Sequence, residues 1–155
     1  MRWLETRIPP PLVMLLCGGI GYLASRLAAG RAVPVPVSSP ALLAGALLTL
    51  GVTLNLLPKL AFRRARTTVN PLRPSASSAL VTHGVYRYTR NPMYLGQAIV
   101  LAGAMLYLQN AVAWLSVPLF VLYITRLQIV PEERVLSARF PEAYALFRQR
   151  VRRWL

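Results

Sequence analysis

Long apolar runs alternate with basic, proline-rich connections along the chain. Four of these runs are candidates for membrane-spanning helices. A spanning helix needs about 20 mostly apolar residues, and each run is close to that length. They cover residues 11–29, 40–57, 92–109 and 111–130. The third run is short, and it reaches this length only if its first and last residues lie at the membrane surface. Its connection to the fourth run is so short that the two helices are predicted to form an antiparallel hairpin.

The last part of the chain has the pattern of a surface helix. Its apolar residues recur at intervals of three or four, which places them on one helix face; they are Leu136, Phe140, Tyr144, Phe147, Val151 and Trp154. Most of the other face is arginine. Residues 131–155 are therefore predicted to be a cytoplasmic amphipathic segment whose apolar face lies against an anionic leaflet, with a break or a new helix start near Pro141.

Charge predicts the orientation of these elements. The chain has a net charge of +14 although 55% of its residues are hydrophobic, and 17 of its 18 basic residues are arginine. Basic residues collect before the first run, between residues 59 and 90, and after residue 130. Because cytoplasmic loops are enriched in Lys and Arg, both termini and the loop 59–90 are predicted to be cytoplasmic, at the inner membrane if the source is bacterial. Several arginines are interpreted only as anchoring charges: Arg87, Arg148, Arg150, Arg152 and Arg153.

These patterns predict one all-α integral membrane domain over residues 1–155, with four transmembrane helices and the cytoplasmic segment. No cleavable signal peptide is expected, because the first run is long and lacks a convincing cleavage site.

Nucleic-acid binding is not expected, since the arginines stand between apolar runs instead of on a soluble face. Cys17 has no partner for an internal disulfide, and one histidine with four acids does not favour a metal site or a hydrolytic triad.

Two polar stretches are predicted to meet at the cytoplasmic end of the hairpin. The first is HGVYRYTRNPMYLG, residues 83–96, and the second is RLQIVPEE, residues 126–133. Ionisable groups at a membrane are costly and by default indicate a functional site. The ring face of a tyrosine can bind an aromatic ring or a sulfonium, and arginine can bind a carboxylate. Adjacent glutamates can accept hydrogen bonds from hydroxyls or amines, while Gly84 and Gly96 allow a ligand or another backbone to approach closely. A ligand such as S-adenosylmethionine would use all of these groups.

The two stretches resemble the membrane methyltransferases of the isoprenylcysteine carboxyl methyltransferase and phospholipid methyltransferase superfamily. The resemblance covers residues 73–154, where the family pattern Gly-x-Tyr-x-x-x-Arg-x-Pro-x-Tyr-x-Gly and a Glu-Glu pair both occur. It implies an integral membrane enzyme that uses S-adenosylmethionine and has no Rossmann domain. It also implies cofactor contacts from both stretches: His83, Gly84, Tyr86, Arg90, Asn91, Pro92, Tyr94, Leu95, Glu132 and Glu133. The later Phe-Gly-x-x-Tyr element is met by Phe140 and Tyr144, but Pro141 replaces its glycine.

The methyl acceptor is predicted to be lipophilic and to enter from the bilayer. A carboxylate, such as that of a prenylated cysteine, is favoured; it is already ionised and needs a cation to hold it, for which Arg126 is the candidate. An amine acceptor, as in phosphatidylethanolamine, or a thiol would need a base, and Glu133 or His83 could act as one. Catalytic roles are therefore assigned to Arg126 and Glu133.

Two other function classes stay open at this point. A lipid reductase on the same scaffold would bind a nicotinamide cofactor in place of S-adenosylmethionine. A non-catalytic membrane protein would tolerate changes of Tyr94 and Glu133. No pattern in the chain indicates an oligomeric state.

Overall fold

The computed structural model describes residues 5–28, 38–64 and 80–155. The predicted end of the first span at residue 29 lies outside these ranges, as do residues 65–79 of the predicted loop 59–90. Within the described ranges the chain forms helices and turns and no strand.

The described helices follow the predicted order. They are α1 (Pro10–Leu27), α2 (Pro40–Arg64), α3 (Pro92–Tyr107), α4 (Ser116–Ile124), α5 (Val130–Arg139) and α6 (Pro141–Arg150). Short 3-10 helices at Gly84–Arg87 and Ala111–Leu115 precede α3 and α4, and a π-helical turn at Thr125–Ile129 joins α4 to α5. Four of the helices, α1, α2, α3 and α6, begin with a proline. Proline suits the first helical position, because the N–H that it lacks has no helical partner there.

The described helices have the length and the surface of a membrane protein. Three stretches are long and apolar enough to cross a bilayer, namely Pro10–Leu27, Pro40–Leu60 and Ala111–Arg139. Helix α3 is apolar but has 16 residues. Large apolar side chains point outward, as expected for contact with lipid; Leu23 and Leu42 are 60% and 77% exposed. The predicted all-helical integral membrane protein is confirmed, while the predicted total of four crossings depends on the shorter α3.

Helix α3 lies at the centre of the bundle, with α2 on one side and α1 and α4 on the other. The contact with α2 is made by small residues. A Cβ atom at Gly96 would lie 2.6 Å from the carbonyl oxygen of Gly51, and one at Gly103 would lie 3.1 Å from that of Ala44. This pairing shows that the two helices run antiparallel with their backbones in close contact, as small residues allow in membranes.

The opposite side of α3 contributes to the main apolar core. Side chains from α1, α3 and the α4–π segment meet there: Val13, Cys17, Tyr94, Ala98, Leu101, Met105, Phe120, Ile124 and Ile129. Tyr94 brings a hydroxyl group to this core, and a buried tyrosine hydroxyl usually has a hydrogen-bond partner.

The predicted amphipathic segment is divided into α5 and α6. Phe140 leaves the helical conformation, with φ −130° and ψ 62°, immediately before Pro141 starts α6. The predicted break is therefore confirmed. The apolar residues Tyr144, Phe147 and Val151 pack against Val81 and Tyr86. Contact with the protein thus replaces the expected contact of this face with lipid, and α6 covers the polar stretch that leads into α3.

Candidate functional site

The polar stretch before α3 is shaped by a left-handed residue. Gly84 has φ +64°, a conformation that side chains disfavour, and nothing lies within 4 Å of a Cβ built there. The turn that follows is closed by a hydrogen bond from the Tyr86 N–H to the His83 carbonyl at 3.3 Å. Tyr86 is consequently buried, whereas the His83 side chain is exposed. The glycine of the motif is required here by backbone conformation.

The start of α3 is bound to the segment 151–154, which is called the tail segment below. The Arg90 N–H donates to the Arg152 carbonyl at 3.0 Å. The Arg153 carbonyl accepts hydrogen bonds from the Thr89 hydroxyl at 3.3 Å and from the Asn91 amide at 2.9 Å. The tail segment therefore lies directly against the residues that introduce α3.

The tail segment also reaches the end of α4. The Trp154 indole N–H donates to the Thr125 hydroxyl at 3.2 Å, and the Trp154 ring packs against the main core. The tail segment thus connects the two polar stretches that the sequence places 30 residues apart, from residue 96 to residue 126.

A π-helical turn aligns the second polar stretch. Pro131 has no N–H, and inside a helix its ring crowds the carbonyl four residues earlier, that of Leu127. This carbonyl accepts a hydrogen bond from the Thr6 N–H at 2.9 Å. The wider π turn at Thr125–Ile129 accommodates the change of spacing, and such turns are frequent at functional sites. The amino-terminal segment is thereby held at the same end of the bundle as the site.

Glu132 is bound by neutral donors. Its Oε1 accepts hydrogen bonds from the Tyr94 hydroxyl at 2.5 Å and from the Gln128 amide at 2.7 Å. We call Tyr94, Gln128 and Glu132 the neutral cluster. It keeps one carboxylate oxygen in a defined position, next to the apolar core.

Glu133 is bound by cations. Arg153 donates to both of its carboxylate oxygens, from Nε to Oε1 at 3.1 Å and from Nη2 to Oε2 at 2.7 Å. Arg90 Nη2 lies 3.2 Å from Oε1. We call Arg90, Glu133 and Arg153 the ionic cluster. Its members are held by strong, directional, charge-assisted contacts.

Arg90 has unused hydrogen-bonding capacity. Its side chain is 9% exposed, yet its Nε and Nη1 atoms have no hydrogen-bond partner. Buried donors without partners are rare and need an explanation. Glu133 binds Arg90 through Nη2 only, so the N–H donors on Nε and Nη1 can bind a second anion, such as a carboxylate.

Two buried tyrosines stay protonated near the clusters. Burial, and then the Glu132 carboxylate, raise the pKa of Tyr86 well above its usual value. Burial, and then Glu133, raise the pKa of Tyr144 to about 12, against the opposing effect of nearby arginines. The hydrogen bond to Glu133 raises the pKa of Arg153. Both hydroxyls are therefore neutral donors at physiological pH, and Arg153 is charged.

The structure brings together most of the residues predicted for the site. Tyr86, Arg90, Asn91, Pro92, Tyr94, Glu132 and Glu133 surround the junction of α3, α5 and the tail segment. Leu95 is half-buried on the first turn of α3, and Gly84 shapes the preceding turn. Arg126 is exposed and makes no hydrogen bond or ion pair with the described part of the chain, so it does not join the clusters.

Comparison with known proteins gives the family of the chain. The profile of a family described as phospholipid methyltransferase matches residues 40–143, from the start of α2 into α6. The chain belongs to the phospholipid methyltransferase family. A protein of Haemophilus influenzae, described as uncharacterized, is 43% identical over 63 residues, which are 41% of this chain and all of that protein. No solved structure matches the chain.

Three residues at this junction were missed at the sequence level. Gln128 had a signal, because it stands four residues before Glu132, where helical side chains meet. Arg153 was interpreted as an anchoring charge, and nothing in the sequence distinguishes it from the other arginines. Thr89 binds the tail segment only through the tertiary path of the chain.

Proposed function

We propose that this membrane methyltransferase uses S-adenosylmethionine and transfers its methyl group to a lipophilic acceptor at the cytoplasmic boundary of the bilayer. The observation that carries this proposal is the pairing of the neutral and ionic clusters at one end of an apolar bundle. Family membership establishes a methyltransferase in general, and the residues around α3 supply the reason to name this methyl donor.

The residues present fit the groups of that cofactor. The unpartnered N–H donors of Arg90 suit its carboxylate, and Tyr86 offers a buried ring face for its sulfonium or purine. S-adenosylmethionine supplies an electrophilic methyl group carried by a sulfonium. The protein has to hold this group in line with the acceptor and to stabilise the charge that moves during transfer.

The two glutamates receive different roles in this proposal. Glu133 is occupied by two guanidinium groups, so it holds Arg90 and the tail segment in place. Glu132 accepts hydrogen bonds from neutral donors, which leaves its second oxygen for a proton from an amine or thiol acceptor. Glu132 therefore replaces Glu133 as the candidate base, and His83, which is exposed, is not used.

The acceptor is expected to reach the site laterally from the lipid. Large apolar side chains are exposed along α1 and α2, whereas the neutral and ionic clusters lie together at one end of the bundle. That end also holds the amino-terminal segment and the tail segment, in agreement with the proposal that both termini are cytoplasmic. Arg126 was the reason to favour a carboxylate acceptor, and it lies outside the clusters, so the acceptor class has to be decided by other groups.

A label-transfer assay tests the proposal. Purified protein in lipid vesicles is given S-adenosylmethionine labelled in the methyl group, with a prenylated cysteine analogue, phosphatidylethanolamine or a lipophilic thiol as acceptor. Binding of S-adenosylhomocysteine is measured in parallel for the wild type, for Arg90→Gln and for the exposed control Arg150→Gln. We expect transfer to one acceptor and a loss of binding of about 10-fold or more in Arg90→Gln only. Absence of both transfer and binding would refute the proposal, and binding of a nicotinamide cofactor instead would favour the reductase.

A further inference from the structure

A cavity of about 520 Å³ lies between α6 and the segment that leads into α3. Its volume is within the range of about 300–1,000 Å³ that is typical of small-molecule sites. Both elements contribute to its lining, with Leu80 and Arg87 from the segment before α3 and Leu146 and Arg150 from α6. No lining residue belongs to the neutral or the ionic cluster, so the proposed methyl transfer gives this cavity no role.

The inner wall of the cavity is apolar and its edge is open. Phe147 and Val151 line it and are 7% and 8% exposed. They also pack against Val81 and Tyr86, in the apolar layer that joins α6 to the polar stretch before α3. Leu146, in contrast, is 52% exposed. A ligand can therefore enter past Leu146 and contact an apolar wall.

The polar groups of the cavity are two arginines without a counter-ion. Arg87 and Arg150 are exposed, and neither forms an ion pair with the described part of the chain. The chain has four acids for 18 basic residues. Glu5 and Glu133 pair with other arginines, and Glu142 stands about 12 Å along the axis of α6 from Arg150. An anion for this pair of guanidinium groups has to come from a ligand.

The surroundings of the cavity have the composition of a membrane interface. Arg87 stands five residues before Pro92, the first residue of α3. Tyr88 follows Arg87 and is 75% exposed. Exposed tyrosine and arginine next to a spanning helix are typical of the level of the lipid headgroups. The cavity is thus close to the phosphate groups of the bilayer.

We infer that this cavity binds an anionic phospholipid, with the phosphate at Arg87 and Arg150 and the start of an acyl chain against Leu146, Phe147 and Val151. The guanidinium fork matches a phosphate, and the anionic cytoplasmic leaflet attracts basic residues. Free phosphate would leave the apolar wall without a contact, and a neutral lipid would leave the arginines without an anion. A zwitterionic headgroup would bring its own cation toward both arginines.

A lipid in this position joins two elements that approach the reactive end of the protein. It contacts the 3-10 turn Gly84–Arg87 through Arg87 and the last turn of α6 through Arg150. Helix α6 leads directly into the tail segment, which carries Arg153 to Glu133. Because the lipid binds the folded protein, it is expected to raise the Tm. The inference does not depend on the identity of the methyl donor or acceptor.

The test uses the full chain in neutral detergent micelles. Dioctanoyl phosphatidylglycerol is the anionic lipid, and dioctanoyl phosphatidylcholine, dioctanoylglycerol and inorganic phosphate are compared with it. Bound molecules are counted by native mass spectrometry, and the Kd is obtained from the rise in Tm. The wild type is expected to bind one phosphatidylglycerol molecule and to respond at least about 10-fold more weakly to the other three compounds.

A double variant and a control of equal charge locate the site. Arg87→Gln with Arg150→Gln is expected to raise the Kd of phosphatidylglycerol about 10- to 30-fold, since two charge-assisted contacts are lost. Arg148→Gln with Arg152→Gln removes the same charge at exposed positions outside the cavity and should stay within about 2-fold of the wild type. Leu146→Ser tests the apolar part and should raise the Kd about 5-fold.

Several results would overturn the inference. They are unaltered phosphatidylglycerol binding in the cavity double variant, or an equal loss in the control, which would indicate a response to net charge alone. An equal response to phosphate would indicate a site for a free anion, and an equal response to dioctanoylglycerol or phosphatidylcholine would exclude selection of an anionic lipid. If the double variant does not fold, unaltered binding in Leu146→Ser gives the same contradiction. Binding of S-adenosylhomocysteine is expected to be unchanged in every variant, so failure of this inference leaves the proposed function intact.

Discussion

Helix α3 is used differently on its two sides. Toward α2, Gly51, Gly96 and Gly103 allow the backbones to touch, and the contact depends on the absence of side chains. Toward α4, α5 and the tail segment, long side chains meet in the neutral and ionic clusters. The comparison shows that one side of α3 fixes the position of the helix while the other presents its chemistry. Changes on the two sides should therefore affect different measurements.

The largest effect is expected for Glu132→Gln. Glutamine keeps an oxygen for Tyr94 and Gln128 but cannot take a proton, so transfer to an amine acceptor should fall about 1,000-fold, within the usual range for a general base. The label-transfer assay measures this fall, with the exposed Glu142→Gln as control. Activity within 3-fold of the wild type would show that Glu132 is not the base.

Glu133→Gln is expected to act on stability. Glu133 is 8% exposed, and its removal leaves the charges of Arg90 and Arg153 without a counter-ion, which should lower the free energy of unfolding by about 3 kcal/mol. Denaturant titration in micelles measures the loss. The matched control is Glu5→Gln, which removes the exposed ion pair with Arg134 and should cost less than about 1 kcal/mol. Equal losses in the two variants would mean that the ionic cluster has no special structural role.

Gly96→Ala tests the other side of α3. The new Cβ would lie 2.6 Å from the Gly51 carbonyl oxygen and 2.6 Å from the Asn55 amide nitrogen, so the two helices must separate, at a cost of about 2 kcal/mol. Gly45→Ala is the control, because nothing lies within 4 Å of a Cβ at that position. Denaturant titration should show a loss only for Gly96→Ala, and a loss of S-adenosylhomocysteine binding with unchanged stability would contradict the assignment of this glycine to helix packing.

The smallest effect is expected for Arg153→Lys. Lysine keeps the charge beside Glu133 but loses the fork that binds both carboxylate oxygens, so stability should fall by about 1 kcal/mol, since the Arg153 side chain is 35% exposed. Arg152→Lys, at an exposed neighbour, should leave the stability unchanged. If both variants behave alike, the geometry of the Arg153 contact does not matter.

The sequence predicts the helices better than it predicts the contacts between them. Proline at the first position of α1, α2, α3 and α6 and the apolar runs behind it are local signals, so these starts could be placed within a residue or two. The roles of the two glutamates could not be distinguished, because Glu132 and Glu133 are adjacent and their difference comes from partners on α3 and the tail segment. The π turn was not predicted either, and the donor that binds its Leu127 carbonyl is the N–H of Thr6, which is distant in the chain.

The two motif glycines illustrate the same limit. Both match one family pattern, and both were interpreted as places of close approach. Gly96 is such a place, with α2 as its neighbour, whereas Gly84 is required by its positive φ. A sequence identifies a position that excludes side chains, but only the fold reveals which physical constraint excludes them.

The length of α3 has a consequence for the surrounding lipid. Sixteen residues rise about 24 Å, whereas the hydrocarbon core of a typical bilayer is about 30 Å thick. Lipids next to this helix must therefore become thinner, or the clusters at its first turn lie beneath the level of the headgroups. The depth of the clusters relative to the lipid headgroups is therefore set by the thickness of the membrane around α3.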